Sequence, residues 1–129
     1  MNYVAIASTS GTVCPGPSNT YSIVVNPKGQ VNQPSNQTVC NNSNTALINF
    51  GTANTGGTTT YAWTNNTTSI GLAASGTGNI ASFTAINTGS TPVVATITVT
   101  PTFANGGQSC TGPSKTFTIT VNPTAQVNA

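Results

Sequence analysis

The chain has no Asp, no Glu and no His, and Lys28 and Lys115 are its only charged side chains. General acid–base catalysis needs a carboxylate or an imidazole within reach of the substrate, so the chain reads as a non-enzyme. Calcium and magnesium sites need clustered oxygen ligands, and zinc sites need Cys or His at short spacing. Neither pattern occurs, so no metal and no cofactor is expected. Two lysines cannot neutralise a run of phosphates, which argues against nucleic acid as a partner. No apolar run is long enough to span a membrane, so membrane insertion is not expected. Leucine is scarce too, at Leu47 and Leu72 alone.

What remains is Thr, Asn, Ser and Gly in quantity, with β-branched Val and Ile and few aromatics. Such a composition favours pleated strands joined by polar turns and gives helices little to start from. Its order is more telling than its content. Residues 14–32 read CPGPSNTYSIVVNPKGQVN, and residues 110–128, ninety-six positions on, read CTGPSKTFTITVNPTAQVN. A period of that length is a whole small domain, not a solenoid turn. The expected organisation is the last two strands of a preceding repeat at 1–27, one complete repeat at 28–123, and the start of another linker at 124–129.

The complete repeat shows strand signals about every dozen residues. Val31 and then residues 38–40 form a first strand broken by Pro34. Residues 45–50 alternate, with Ala46, Ile48 and Phe50 expected on one face. Residues 58–64 place Tyr61 and Trp63 together, 69–74 read as a short edge strand, and 75–79 read as a glycine-rich turn. Residues 80–86 are strand-like without a clear inward face. Residues 93–100 put Val93, Ala95, Ile97 and Val99 inward. Asn105-Gly106-Gly107 signals a hairpin, and 116–121 put Phe117, Ile119 and Val121 inward before Pro123 stops the ladder. The expected core is Ile48, Phe50, Tyr61, Trp63, Ile97, Val99, Phe117, Ile119 and Val121.

Three cysteines make an odd count that the repeat explains. Cys14 belongs to the preceding repeat and pairs outside this stretch, leaving Cys40 and Cys110 as one pair per repeat. That usage reads as a disulfide in a secreted protein. A bond within the repeat closes a loop of about 70 residues and contributes about 4 kcal/mol. A bond from Cys110 back to the preceding repeat would staple neighbours into a rod. The matched pair makes the bond within the repeat the favoured expectation, although the positions of the two loops in a sandwich argue for the second. Met1-Asn2-Tyr3 has no basic segment followed by an apolar core, so no signal peptide opens the chain, and the natural N-terminus is expected elsewhere.

Other residues invite sharper readings. Tyr61 and Trp63 could form a sugar-stacking platform, although strand spacing makes burial the simpler expectation. Thr96, Thr98 and Thr100 beside Thr116, Thr118 and Thr120 could form a flat ladder of the kind ice-binding surfaces use, but Thr is also an ordinary residue for a solvated strand face. Lysine–asparagine isopeptide bonds need a neighbouring carboxylate and are excluded. Several Asn-x-Ser/Thr triplets fit the glycosylation pattern, as chance allows at this Asn and Thr content.

Seven short strands, one buried Trp on the third main strand and one core per repeat suggest an all-β, immunoglobulin-like β-sandwich. The ordered blocks NQTVC, YAWTNNTTSIGLAASGTGNI, STPVVATITVTPT and CTGPSKTFTITVNP resemble the PKD-like repeats of Bacteroidetes surface proteins. The resemblance covers the complete repeat and the fragment. It implies a very long parent chain exported by type IX secretion to the cell surface, and an extracellular adhesin, some of which drive gliding motility. Ordinary PKD domains carry an acidic W-D-F-G-D-like segment, whereas Trp63 is followed here by Thr64-Asn65-Asn66, so nothing tied to that segment transfers. The resulting expectation is a structural stalk repeat whose partners are neighbouring repeats or further copies in a filament. Surface polysaccharide is a further candidate partner, and a carbohydrate-binding sandwich module is the alternative function.

Overall fold

The computed structural model describes residues 2–5 and 16–128. Its strands are β1 Asn2–Ala5, β2 Asn19–Ser22, β3 Gln37–Cys40, β4 Thr58–Asn65, β5 Ser75–Thr77, β6 Val93–Asn105, β7 Gln108–Thr111 and β8 Lys115–Asn122. β1 and β2 pair antiparallel in a two-stranded sheet of their own, with Tyr3 opposite Tyr21. The other six form one mixed sheet in the order β3-β8-β6-β4-β5, with β7 also paired to β6. β3 runs parallel to β8, and the remaining pairs are antiparallel.

β6 is the spine of this sheet because its sequence alternates without a fault. Ala95, Ile97 and Val99 are fully buried, with half-buried threonines between them. The strand continues five residues past the expected end at Thr100, through Pro101 to Asn105. Proline in a central strand normally costs a ladder bond. Here the Pro101 carbonyl accepts from the Gly112 N–H (2.9 Å), and an extended residue points both its backbone groups the same way. The missing donor therefore faces the break between β7 and β8, where no ladder partner is waiting. Beyond Asn105 the chain reverses through Gly106 and Gly107, both at positive φ (61° and 77°), which lets Asn105 pair with Gln108 across a two-residue turn.

A second layer lies over the sheet. The 42–50 and 79–86 segments run antiparallel, with Ile48 and Ile80 exchanging both backbone bonds (2.9 and 3.0 Å) and Asn44 opposite Thr84. Asn32 adds a further backbone bond to Gly51 (2.8 Å). Ile48, Phe50, Ile80 and Ala85 from this layer join Trp63, Ile97, Val99, Phe117, Ile119 and Val121 from the sheet in one core, with Tyr61 partly buried against it. The result is an all-β, sandwich-like fold. Each large aliphatic or aromatic side chain in that core contributes roughly 1.5–3 kcal/mol of transfer free energy.

Two local expectations need correction. Ala46 is exposed and Thr45 is buried in its place. The 43–50 segment touches its neighbour through isolated bridges instead of a continuous ladder, so strict alternation does not hold there. The edge strand is also displaced. Residues 68–70 make a single 3-10 turn, and the edge strand is β5, in the stretch expected to be a turn. The reason is Gly76: it lies across the indole of Trp63, and a Cβ at that position would collide with the ring. Only glycine lets the edge strand lie flat over so large a side chain.

Side-chain amides complete what the backbone ladders leave open. The Ala46 N–H donates to the Gln37 side-chain oxygen (2.9 Å) and the Ala46 carbonyl accepts from the Gln37 amide (3.1 Å). Gln37 thus acts as a strand neighbour made of one side chain. Asn79 accepts from the Phe50 N–H, Asn66 from Thr96 and Asn36 from Thr118, at 2.8 to 2.9 Å. Most of these bonds lie near the surface, where each replaces a bond to water and contributes about 0.5–1.5 kcal/mol, so the abundance of Asn and Gln is structural as well as solubilising.

Candidate functional site

The residues singled out from sequence separate into an aromatic pair, a threonine face and the two ends of the module. The aromatic pair is not a platform. Trp63 is 7% exposed beneath Gly76, and its indole N–H is buried without a partner. Tyr61 is half-buried and packs on Phe50 with ring centroids 5.5 Å apart. The threonine face does form across β6 and β8, with Thr96 opposite Thr118 and Thr98 opposite Thr116. Its hydroxyls turn partly to local partners, as Thr100 does to Ser114 (2.7 Å).

The ends of the module carry most of the remaining polar machinery. At the proximal end, where the chain arrives from residues 26–29, the Gly29 N–H donates to the Cys110 carbonyl (3.0 Å). Gly29 and Gly112 lie backbone to backbone, since a Cβ on Gly112 would overlap the Gly29 carbonyl. Asn54 accepts from the Gln30 N–H (2.6 Å) and donates to the Lys28 carbonyl (3.1 Å). Asn26 and Asn105 clasp: the Asn26 amide donates to the Asn105 carbonyl (2.9 Å) and the Asn105 amide to the Asn26 side-chain oxygen (3.0 Å). The incoming linker is therefore held down on the β6–β7 turn. Both lysines belong to this end, Lys28 in the linker and Lys115 at the start of β8.

At the distal end the Asn41 N–H donates to the Asn122 carbonyl (2.8 Å) and its side-chain amide to the Thr124 hydroxyl (3.0 Å). Asn87 is buried there, donating to the carbonyls of Thr91 and Val121 (both 2.8 Å). The outgoing chain is tied to the module as the incoming chain is. Both ends work with neutral amides, so their bonds carry no net charge to be screened by salt.

The cysteines sit one at each end, which corrects the favoured bond within the repeat. Cys40 is opposite Asn122 at the distal end of β8, and Cys110 lies in β7, beyond the proximal end of β8. Seven strand steps from Lys115 to Asn122 already span about 23 Å, against a Cα separation of about 4.4–6.8 Å in a disulfide. Both are free thiols, Cys40 exposed and Cys110 half-buried. Cys14 lies outside the described residues. Among the described residues no cluster of metal-ligating side chains occurs. No family model, no curated protein and no solved structure matches this chain.

Proposed function

We propose that the chain is a spacer repeat of a long extracellular surface adhesin or filament, a PKD-like, immunoglobulin-like sandwich of the kind borne by type IX-secreted Bacteroidetes proteins. One observation carries the reading. Ile119 and Val121 are fully buried, while their counterparts ninety-six residues earlier, Ile23 and Val25, are 47% and 86% exposed. Val31 is 6% exposed, while its counterpart Val127 is 97% exposed. Equivalent residues are buried inside the complete repeat and bare on both sides of it, as expected of surfaces that neighbouring repeats cover.

The geometry suits a tension-bearing role. β3 and β8 lie parallel and in register, Gln37 beside Ile119 and Cys40 beside Asn122. Tension through the two linkers pulls β3 toward the proximal end and β8 toward the distal end. That direction shears all their hydrogen bonds together instead of unzipping them singly. The clasped linkers pass the load into the sheet at a set angle, and repetition supplies reach.

Force extension of chains containing several copies of residues 28–123 tests this. Each rupture should release about 300 Å of chain, given ninety-six residues at about 3.3–3.6 Å each. The Asn41 N–H points at β8, and Val39, two residues earlier in the same extended stretch, points its own N–H the same way. Val39→Pro should therefore lower the rupture force clearly. A featureless extension curve, or ruptures indifferent to Val39→Pro, would remove the load-bearing reading.

A further inference from the structure

We infer that successive repeats are joined by a disulfide from Cys40 of one repeat to Cys110 of the next, an inference that rests on the tandem-array reading above. Asn122 is paired with Cys40, and its counterpart in the preceding repeat is Asn26. Three residues on from Asn26, the Gly29 N–H is bonded to the Cys110 carbonyl. The distal cysteine of one repeat and the proximal cysteine of the next are thus anchored to points three residues apart, no more than about 10 Å of extended chain. Within one repeat they are anchored to opposite ends of β8.

The linker adds direction to this proximity. The Asn26–Asn105 clasp folds it onto the turn that leads into β7, the strand that holds Cys110. Cys40 shares the sheet face of Asn122, while Cys110 lies opposite Phe103 on the core-facing side. Closure therefore fixes the rotation between neighbouring repeats as well as their spacing. The two thiols form one S–S bond and give up two protons and two electrons. A low-molecular-weight disulfide accepts these by thiol–disulfide exchange and leaves as two thiols. No catalytic group in this chain is needed.

The test is the full chain lengthened by a second copy of residues 28–123 inserted after Pro123. The new junction, Val121-Asn122-Pro123 followed by Lys28-Gly29, reproduces the natural Val25-Asn26-Pro27-Lys28-Gly29. With Cys14→Ser throughout, serine replaces all but two of the remaining cysteines, and the protein is treated at micromolar concentration with oxidised glutathione. Retaining Cys40 of the first copy and Cys110 of the second should take free thiols from two per chain to none, without dimers on gel filtration. A short linker gives an effective concentration in the millimolar range, so closure should outrun bonding between chains by about 1000-fold at micromolar protein. Retaining the reverse pair, or both cysteines of one copy, should leave two thiols free. Chymotryptic peptide mapping identifies the bond, because cleavage at Tyr61, Trp63, Phe83 and Phe103 separates the two cysteines. If the first variant stays reduced while its melt shows both copies folded, or if the same-copy pair closes as readily, the bond is refuted and the array reading stands. A melt in which the second copy adds no unfolding amplitude removes the array reading, and this inference with it.

Discussion

β2 and β8 are the two halves of a natural experiment. Their sequences match closely through the strand and into Val-Asn-Pro, and each has one antiparallel neighbour pairing a Tyr or Phe with a residue across the sheet, Tyr21 with Tyr3 and Phe117 with Ile97. Yet β8 delivers Phe117, Ile119 and Val121 into a closed core, while Tyr21, Ile23 and Val25 stay exposed. The difference lies in what stands behind the strand. β8 also has β3 at its other edge and a second layer across its inner face. Alternation writes which face of a strand is apolar, and the rest of the fold decides whether that face is buried.

The sharpest way to break this comparison is to shorten the same side chain in both places. Ile119→Ala should cost about 2–5 kcal/mol, because it opens a cavity in a closed core. Ile23→Ala should stay within about 0.5 kcal/mol, as exposed substitutions do. Denaturant melts of the two variants measure both. On the tandem-array reading proposed above, joining residues 28–109 ahead of Cys14 gives β2 the neighbours that β8 has, and in that chain Ile23→Ala should become as costly as Ile119→Ala. Equal costs in the original chain would mean that β2 already has a core of its own.

A second contrast sets Trp63 against the edge strand above it. Gly76→Ala places a methyl group against the indole and should destabilise the module by about 1–3 kcal/mol through overpacking. Gly78, at positive φ with nothing near its Cβ position, lacks that steric conflict, so Gly78→Ala should leave Trp63 fluorescence unchanged while Gly76→Ala shifts it toward that of exposed indole. If both substitutions shift it equally, the close approach of β5 is not what shields the ring.

How far the sequence could be read follows the same division. β6 and β8 were legible because their apolar residues alternate with threonines over many positions, and β4 because Tyr61 and Trp63 share a face between threonines. The second layer was harder: Thr45 is buried and Ala46 exposed because isolated backbone bridges and side-chain amides, not a continuous ladder, hold that segment. Asn and Gln read locally as turn formers, and nothing local shows that Gln37 will reach Ala46 or that Asn79 will reach Phe50. The cysteine pair misled for a related reason. Its count pointed to one bond per repeat, whereas a parallel β3–β8 edge and the position of β7 beyond the start of β8 put the two thiols at opposite ends.

The amide bridges supply a third test. Gln37→Ala removes the partner of both Ala46 backbone groups and should cost about 1–2 kcal/mol, reduced from a fully buried loss because solvent reaches the site. Hydrogen exchange at the Ala46 amide should accelerate while exchange at the Ile97 amide, deep in β6, keeps its protection. Unchanged exchange at Ala46 would show that the Gln37 bond contributes nothing to that segment.

The smallest expected effect is the response to acid. Stability changes with pH only where folded and unfolded chains bind different numbers of protons, so the slope is zero wherever those numbers agree. Carboxylates and imidazoles are the side chains that ordinarily titrate between about pH 4 and 8, and this chain has none. Folded and unfolded side chains therefore carry the same protons across that window, and the two regions compared above should respond alike. The melting temperature should move by less than about 2 °C between pH 4.5 and 7.5, a change worth well under 1 kcal/mol for a domain of this size. Replacing one exposed residue with a carboxylate beside Lys115, as in Ser114→Asp, restores a titrating group. Because the lysine favours the charged form, the folded-state carboxyl should sit below its unfolded value. That added stability should be present above the unfolded value and fade as pH falls through the folded one. Melts of the original chain and the Ser114→Asp variant, run side by side through that window, decide the matter. A steep pH dependence in the original chain would contradict it.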